Sequence, residues 1–443
     1  MANQKRQIKL GAFLQSVGHH LAAWRHPDVD PENATRFSHL QQLAQTAERG
    51  KFDAIFFADA LGLPHIDQAL LSKGAVTYFW EPLTVLSALA LNTSKIGLIS
   101  TVSTSYLQPY HLARLFASLD HLSQGRAGWN LVTSGTDFEA RNFSLQQQTP
   151  HSERYRKARE YVDVVKGLWD GWDDNPYLFD KAAGQFFDPA KLHYLNHEGE
   201  FFSVAGPLQS ARPVQGYPVI VQAGSSEDGQ NLAAATAEVV FTAQQFLPAA
   251  QAFYRGLKDK LAAHGRDEDS LKIMPGVMPI IGRTAEEAEE KYQALQNLID
   301  PAVGIALLSA FLGNIDLSRY SIDDPVPDFP DTEGWQSRQQ LLVDLARKDN
   351  LSIRQLYQKV AGARGHRIIT GTASDIADQL ELWFTQGAAD GFNILPATLP
   401  QGLDEFVDQV IPELQRRGLF RTEYTGNTLR EHLELARPRS QYA

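Results

Sequence analysis

Short apolar runs alternate with longer segments whose apolar positions recur every three or four residues, and this rhythm runs the length of the chain. The runs IKLGAFL (8–14), DAIFFAD (53–59), KIGLISTVST (95–104), AGWNLVTS (127–134), PVIVQAGS (218–225), EVVFTAQ (238–244), KIMPGVMPIIG (272–282) and GFNILP (391–396) are apolar on both alternating faces. That pattern predicts strands buried on both sides, as in a parallel sheet covered by helices. Helical periodicity follows each of them: 34–50, 82–94, 111–125, a long helix from Ser152, then 228–237, 249–264, 374–386 and the LDEFVDQVIPELQRRG segment at 403–418. Eight strand–helix units predict an α/β fold, a closed (β/α)8 TIM barrel formed by one domain over 1–443. The rhythm breaks at about 173–217, which is rich in Asp, Gly, Pro and aromatics, and again at about 300–366, where a Pro/Asp-rich loop spans 321–334. These read as insertions after strands four and seven, and HEGEFFSVAGPL in the first reads as a hairpin strand. An open nucleotide-binding sheet is the weaker alternative, because no GxGxxG follows the first strand; Gly11 and Gly18 stand isolated.

Composition narrows the chemistry. The chain has no cysteine, which removes disulfides, thiolate metal sites and cysteine nucleophiles. A net charge of -11 argues against a nucleic-acid partner, which needs a basic surface. The basic N-terminus runs into a strand without the apolar core and cleavage site of a signal peptide. No apolar run reaches the roughly 20 residues that cross a bilayer. A soluble, cytoplasmic protein without a membrane partner is expected.

In a barrel the chemistry sits at the C-terminal ends of the strands and in the loops after them. His19, His20, Trp24 and Arg25 follow the first strand, and Asp59 ends the second. Ser103, Thr104, Ser105 and Tyr106 end the third. Asn130 and Ser134 close the fourth, and His151 with Tyr155 opens the helix behind it. The turn Gly224-Ser225-Ser226 leads into a helix, where free N–H groups and hydroxyls form an anion site; the competing reading is a plain serine cap. Asp59 needs partners at the end of an apolar strand, so it serves either function or an internal ion pair. The histidines after strand one lack HxH or HExxH spacing, and no metal site is expected. Tyr155 by itself reads equally well as packing.

Several segments then act together. GHH…AWRHP, RGKFDAIFFAD, SLDHLSQGRAGWNLVTS, HSERYRKAREYVDVVKGLWDGW, GPLQSARPVQGYPVIVQAGSSEDG and QVIPELQRRGLFRTEYTGNTLREHL occur in order over nearly the whole chain. Their sequence resembles the nitrilotriacetate, dibenzothiophene-sulfone and pristinamycin monooxygenase group of the bacterial-luciferase-like superfamily. The resemblance implies FMN used as FMNH2, an NAD(P)H-dependent flavin reductase as partner, dioxygen as co-substrate, and a homodimer or homotetramer. Carried over by position, Asp59, Ser103, Thr104 and Asn130 would hold the flavin ring, and His151, Tyr155, Ser225 and Ser226 its phosphate. His20 matches a substrate-side histidine and is the catalytic candidate, with a pH limb expected near neutrality. Arg25 would bind substrate charge, or else tie down the first loop.

Two departures stand out. Gly135 replaces a polar residue of relatives, and Ala310, Phe311 and Leu312 lie where several carry a histidine. The expected reaction is oxidation of a small organic substrate with C–S or C–N cleavage. Hydroxylation of an apolar substrate such as an alkane, and flavin binding without turnover, are the alternatives. Loops near 60–80, 173–217 and 300–366 are the candidate lid.

Overall fold

The computed structural model describes residues 6–63, 68–74, 80–313, 315–317, 319–327 and 336–443. Parts of two expected lid segments, 64–67 and 75–79 in the first and 314, 318 and 328–335 in the second, lie outside the described residues. The strands are β1 Lys9–Phe13, β2 Ala54–Phe57, β3 Gly97–Ser103, β4 Ala127–Val132, β5 Tyr177–Asp180, β6 Gln185–Phe187, β7 His197–Glu198, β8 Ser203–Val204, β9 Val219–Gln222, β10 Val239–Thr242, β11 Lys272–Ile281, β12 Arg367–Gly371 and β13 Gly391–Ile394. Pairing runs β1–β2–β3–β4–β9–β10–β11–β13 and returns to β1, all of it parallel, so the barrel closes on eight strands. These eight are the ones the apolar runs predict. Closure removes every sheet edge among them and satisfies strand N–H and C=O groups without water.

β12 was not expected. It pairs with the second half of β11, Val277 to Ile281 against Arg367 to Gly371, and forms a ninth strand beyond the point where β13 joins β11. Its sequence RIITG is short and partly exposed on alternate positions, so no apolar run marks it just past the insertion. Within 173–217 the chain forms two hairpins, β5–β6 and β7–β8. Within 300–366 it forms helices Pro301–Phe311, Gln336–Lys348 and Ile353–Ala363, which enclose their own apolar cluster around Leu308, Leu312, Leu342 and Leu356.

Packing separates the two faces of each strand. The outward face meets the helices in one large core with Trp129, Phe116, Tyr161 and Trp383. Inside the barrel, Phe13, Phe56 and Phe241 pack edge to face at 4.8 and 5.6 Å, and His366 stacks on Phe241 at 4.8 Å. Below these rings Gly11 is required, because a Cβ there would stand 2.6 Å from Asn393 Oδ1. A cavity of about 20 Å3 lies in that interior, and in a barrel filled by side chains the chemistry is left to the mouth. At the opposite end Asp53 accepts from the Leu10 N–H at 2.6 Å and pairs with Arg421, fastening the C-terminal segment. No single helix among the described residues is long and apolar enough to cross a membrane.

Candidate functional site

β3 and β4 lie in register with Thr101 opposite Asn130 and Ser103 opposite Val132. Because Thr101 alternates with the inward-facing Ile99, both Thr101 and Asn130 face the barrel interior. Asn130 Nδ2 donates to Thr101 Oγ1 at 2.8 Å, and that hydroxyl donates to the Phe57 carbonyl at the end of β2. The amide is thereby fixed, while its Oδ1 is buried and has no hydrogen-bond partner among the described residues. A buried acceptor left unpaired is uncommon and marks a place for a ligand donor. Just above, Ser103 Oγ accepts from Ser134 Oγ at 2.9 Å and from the Ser105 N–H, and Thr104 donates through its N–H to the Val132 carbonyl.

Asp59 stands two residues past β2, half-buried, and its own carboxylate accepts from the Ala60 N–H. Burial, with the nearby negative Glu81 and Glu139, pushes its carboxyl up to about 6. No ion pair joins it to a cation among the described residues. Glu139, buried and absent from the sequence-derived candidates, ties this rim together. It accepts from Thr136 Oγ1 at 2.6 Å, Ser134 Oγ at 3.3 Å, and the N–H groups of Gly135 and Leu61. No spacing in the sequence marks it, because its donors come from two separate loops.

The helix His151–Trp169 begins at His151 itself and is fastened over this rim. Lys157 Nζ donates to the Ser105 carbonyl at 2.9 Å, and Arg154 bonds the Ser134 carbonyl. Its first turn meets the start of the helix Glu227–Thr236, where His151 Nδ1 lies 3.2 Å from Asp228 Oδ2. Ser226 caps that helix, its Oγ accepting from the Gly229 N–H at 3.2 Å, and Ser225 Oγ lies 3.4 Å from Thr242 Oγ1. The capping reading of Ser226 therefore holds. It leaves the remaining N–H groups of the first turn for an anion. Residues about 75 positions apart in sequence thus form one polar corner, with the Tyr155 ring packed against His151 at 4.7 Å.

The first loop lies otherwise than the sequence suggests. His20 is buried, with Nδ1 accepting from the Ala22 N–H and Nε2 at 3.2 Å from Gln296 Oε1, and Gln296 in turn donates to Tyr292 OH. Burial pulls its pKa down to about 4, so the expected limb near neutrality is corrected: the ring is neutral there. His19 is likewise held by the Phe13 carbonyl and lowered to about 3 by burial, with Arg364 nearby. Arg25 is exposed and bonds the Leu298 carbonyl, tying the first loop to the segment before the helix Pro301–Phe311. Among the described residues no cluster of metal-ligating side chains is present. A wider cleft of about 320 Å3 runs along β12, lined by Arg367, Thr370, Asp375 and Gln379, but none of the hydroxyl, amide or histidine groups of the mouth reaches it.

Comparison with known proteins agrees with this geometry. A family model described as luciferase-like monooxygenase matches residues 17–390. The chain is 51% identical over its whole length to N-acetyl-S-(2-succino)cysteine monooxygenase of Bacillus subtilis (strain 168), covering all of that protein. It is 50% identical to nitrilotriacetate monooxygenase component A of Aminobacter aminovorans, over 99% of this chain and 98% of that one. Among solved structures, a riboflavin lyase with modified FMN and riboflavin superposes with a TM-score of 0.87 at 32% identity, over 97% of this chain and 96% of that one. A closed parallel barrel with a polar corner at its mouth, matched along nearly all its length by such enzymes, places this chain in the luciferase-like monooxygenase family.

Proposed function

We propose that the chain is the oxygenase of a two-component system. It takes FMNH2 from a separate NAD(P)H-dependent flavin reductase and uses dioxygen to oxidise a small organic substrate, with cleavage of a C–S or C–N bond. The observation that carries this reading is the orphaned Asn130 Oδ1, fixed by Thr101 inside the barrel toward the C-terminal end of β4, together with the joined helix starts of His151 and Ser226. One end offers an amide and hydroxyls suited to the polar edge of a flavin ring. The other offers the N–H and side-chain donors that a phosphate needs. The relatives support the rest: one is named as component A of its enzyme, and two act on substrates that carry a thioether or an amine beside carboxylates.

When bound, reduced flavin supplies the electrons that activate dioxygen. The chain's own residues bind and orient. Asn130, Thr104, Ser103 and Asp59 hold the ring edge; His151, Tyr155, Ser225 and Ser226 hold the phosphate; His20, buried against Gln296 behind the first loop that Arg25 anchors, is the proton-transfer candidate. Lys73 Nζ meets Asp300 Oδ2 at 2.9 Å, linking the loop after β2 to the late insertion, a contact suited to keeping water from the mouth. Assembly as a homodimer or homotetramer belongs to the same reading.

The purified protein is expected to bind reduced FMN more tightly than FMN and to oxidise no NADH until a flavin reductase is added. With that reductase present, a panel of thioethers, amines and alkanes followed by product mass separates C–S or C–N cleavage from hydroxylation. NADH oxidation by the chain alone would refute the two-component reading. For the phosphate end, Tyr155→Phe is expected to weaken FMN by about 1 to 2 kcal/mol, the scale of one hydrogen bond to a charged group, and to leave riboflavin unaffected. Equal losses for the two ligands would show that Tyr155 does not read the phosphate.

A further inference from the structure

Asp228 is the second residue of the helix Glu227–Thr236, in the stretch SSEDG. The helix dipole favours a carboxylate in the first turn, but beside an anion-binding corner its charge repels the group that corner would receive. Its geometry gives a compensating reason. Asp228 is half exposed, whereas the His151 imidazole, 3.2 Å away through Nδ1, is only 19% exposed, so the ring is gripped from the solvent side. On another side the ring packs on Tyr155 at 4.7 Å, with the planes inclined by 43°. Nδ1 is the nitrogen turned toward the Asp228 carboxylate, at ion-pair distance, and Nε2 is the nitrogen left to address a ligand. Two contacts from two helices thus fix a side chain that would otherwise turn freely about two torsions.

We infer that Asp228 is the positioning residue of the phosphate end, holding His151 by Nδ1 so that its other nitrogen faces the space between the two helix starts. This rests on the flavin reading above and goes beyond it, since it assigns to a carboxylate a net gain in affinity for an anion. Simple repulsion predicts the opposite sign.

The test measures FMN and riboflavin dissociation constants, by quenching of flavin fluorescence, for the wild-type chain and for Asp228→Ala and Asp228→Asn. Wild type is expected to favour FMN over riboflavin. Asp228→Ala should lose about tenfold in FMN affinity, the scale of a hydrogen bond to a charged group, with riboflavin unchanged within about twofold. Asp228→Asn keeps the shape of the side chain but removes the charge that faces Nδ1, and should lose FMN affinity by a comparable factor with riboflavin again unchanged within about twofold. Unchanged or tighter FMN binding in Asp228→Ala overturns the inference, and so does an equal loss for both flavins, which marks a merely structural role. A wild-type chain that does not prefer FMN overturns the phosphate reading itself, and this inference with it.

Discussion

His20→Ala is expected to lower coupled product formation by roughly a hundred- to ten-thousand-fold, the usual range for a group that helps move a proton, while FMN affinity stays within about twofold. The residue is fixed by the Ala22 N–H and Gln296, and the flavin-edge candidates Asn130 and Thr104 make none of their bonds with it. That separation is why binding and turnover should part in the variant. Burial holds the ring neutral with a pKa of about 4, so any limb it imposes on the pH–rate profile lies near pH 4. A limb near 6 would belong to Asp59, whose carboxyl burial and two neighbouring acids raise to about 6, and Asp59→Asn should then abolish it. His20→Gln is the control, because a glutamine side chain restores a donor toward Gln296 without the imidazole. Normal coupling of flavin oxidation to product in both variants, with melting temperatures near wild type, would remove His20 from the mechanism.

Acidification should destabilise the fold sharply between about pH 6.5 and pH 4. His19 and His20 are almost wholly buried, with pKa values lowered from 6.5 to about 3 and about 4. A depressed histidine pKa means the unfolded chain binds the proton first. The stability these two groups contribute is therefore complete above 6.5 and is lost as pH falls toward their folded values. At pH 4 the linkage amounts to roughly 3 kcal/mol for each histidine, a large share of the 5 to 15 kcal/mol that keeps most domains folded. Asp59 works in the opposite sense over part of this window, since its raised carboxyl takes up a proton in the folded state, but it is half-exposed and only partly offsets the loss. Urea denaturation at pH 7 and at pH 4.5 reads the effect. A double His19→Gln, His20→Gln variant should show a shallower decline than wild type, and a parallel decline would assign the acid lability to other groups.

The eight barrel strands were legible because their signal is local. A strand buried on both faces must be apolar at successive positions, and LISTV, VIV or GFNI cannot be mistaken for surface chain. Their closure into a barrel followed from counting strand–helix units, since a parallel strand needs a helical crossover and eight of them leave no edge. Helix starts were equally local: Pro82, Pro109 and the Ser226 cap each announce a first turn within a few residues. The residue types at the mouth were legible as well, because the fold rule assigns strand ends to chemistry before any geometry is known.

What only the tertiary structure decided is which of those residues meet, and which of their atoms are left free. β12 pairs through the polar-edged segment RIITG, and pairing with β11 is a long-range fact with no period of its own. Glu139 and Asp228 acquire their importance from donors brought in by other loops and by a helix about 75 residues away. His20 reads in the sequence as a side chain at the rim, yet the chain turns at Gly18, where a left-handed φ of 137° brings the backbone against the Ala397 carbonyl and carries His20 inward to Gln296. Asn130 and Thr101 stand 29 residues apart on adjacent strands, and only their register shows that one amide atom is held while the other is left without a partner. Local pattern determined the elements because secondary structure is set by neighbouring residues. The site was decided by tertiary packing, because burial, proton affinity and an unpaired acceptor depend on groups that the chain brings together only after it has folded.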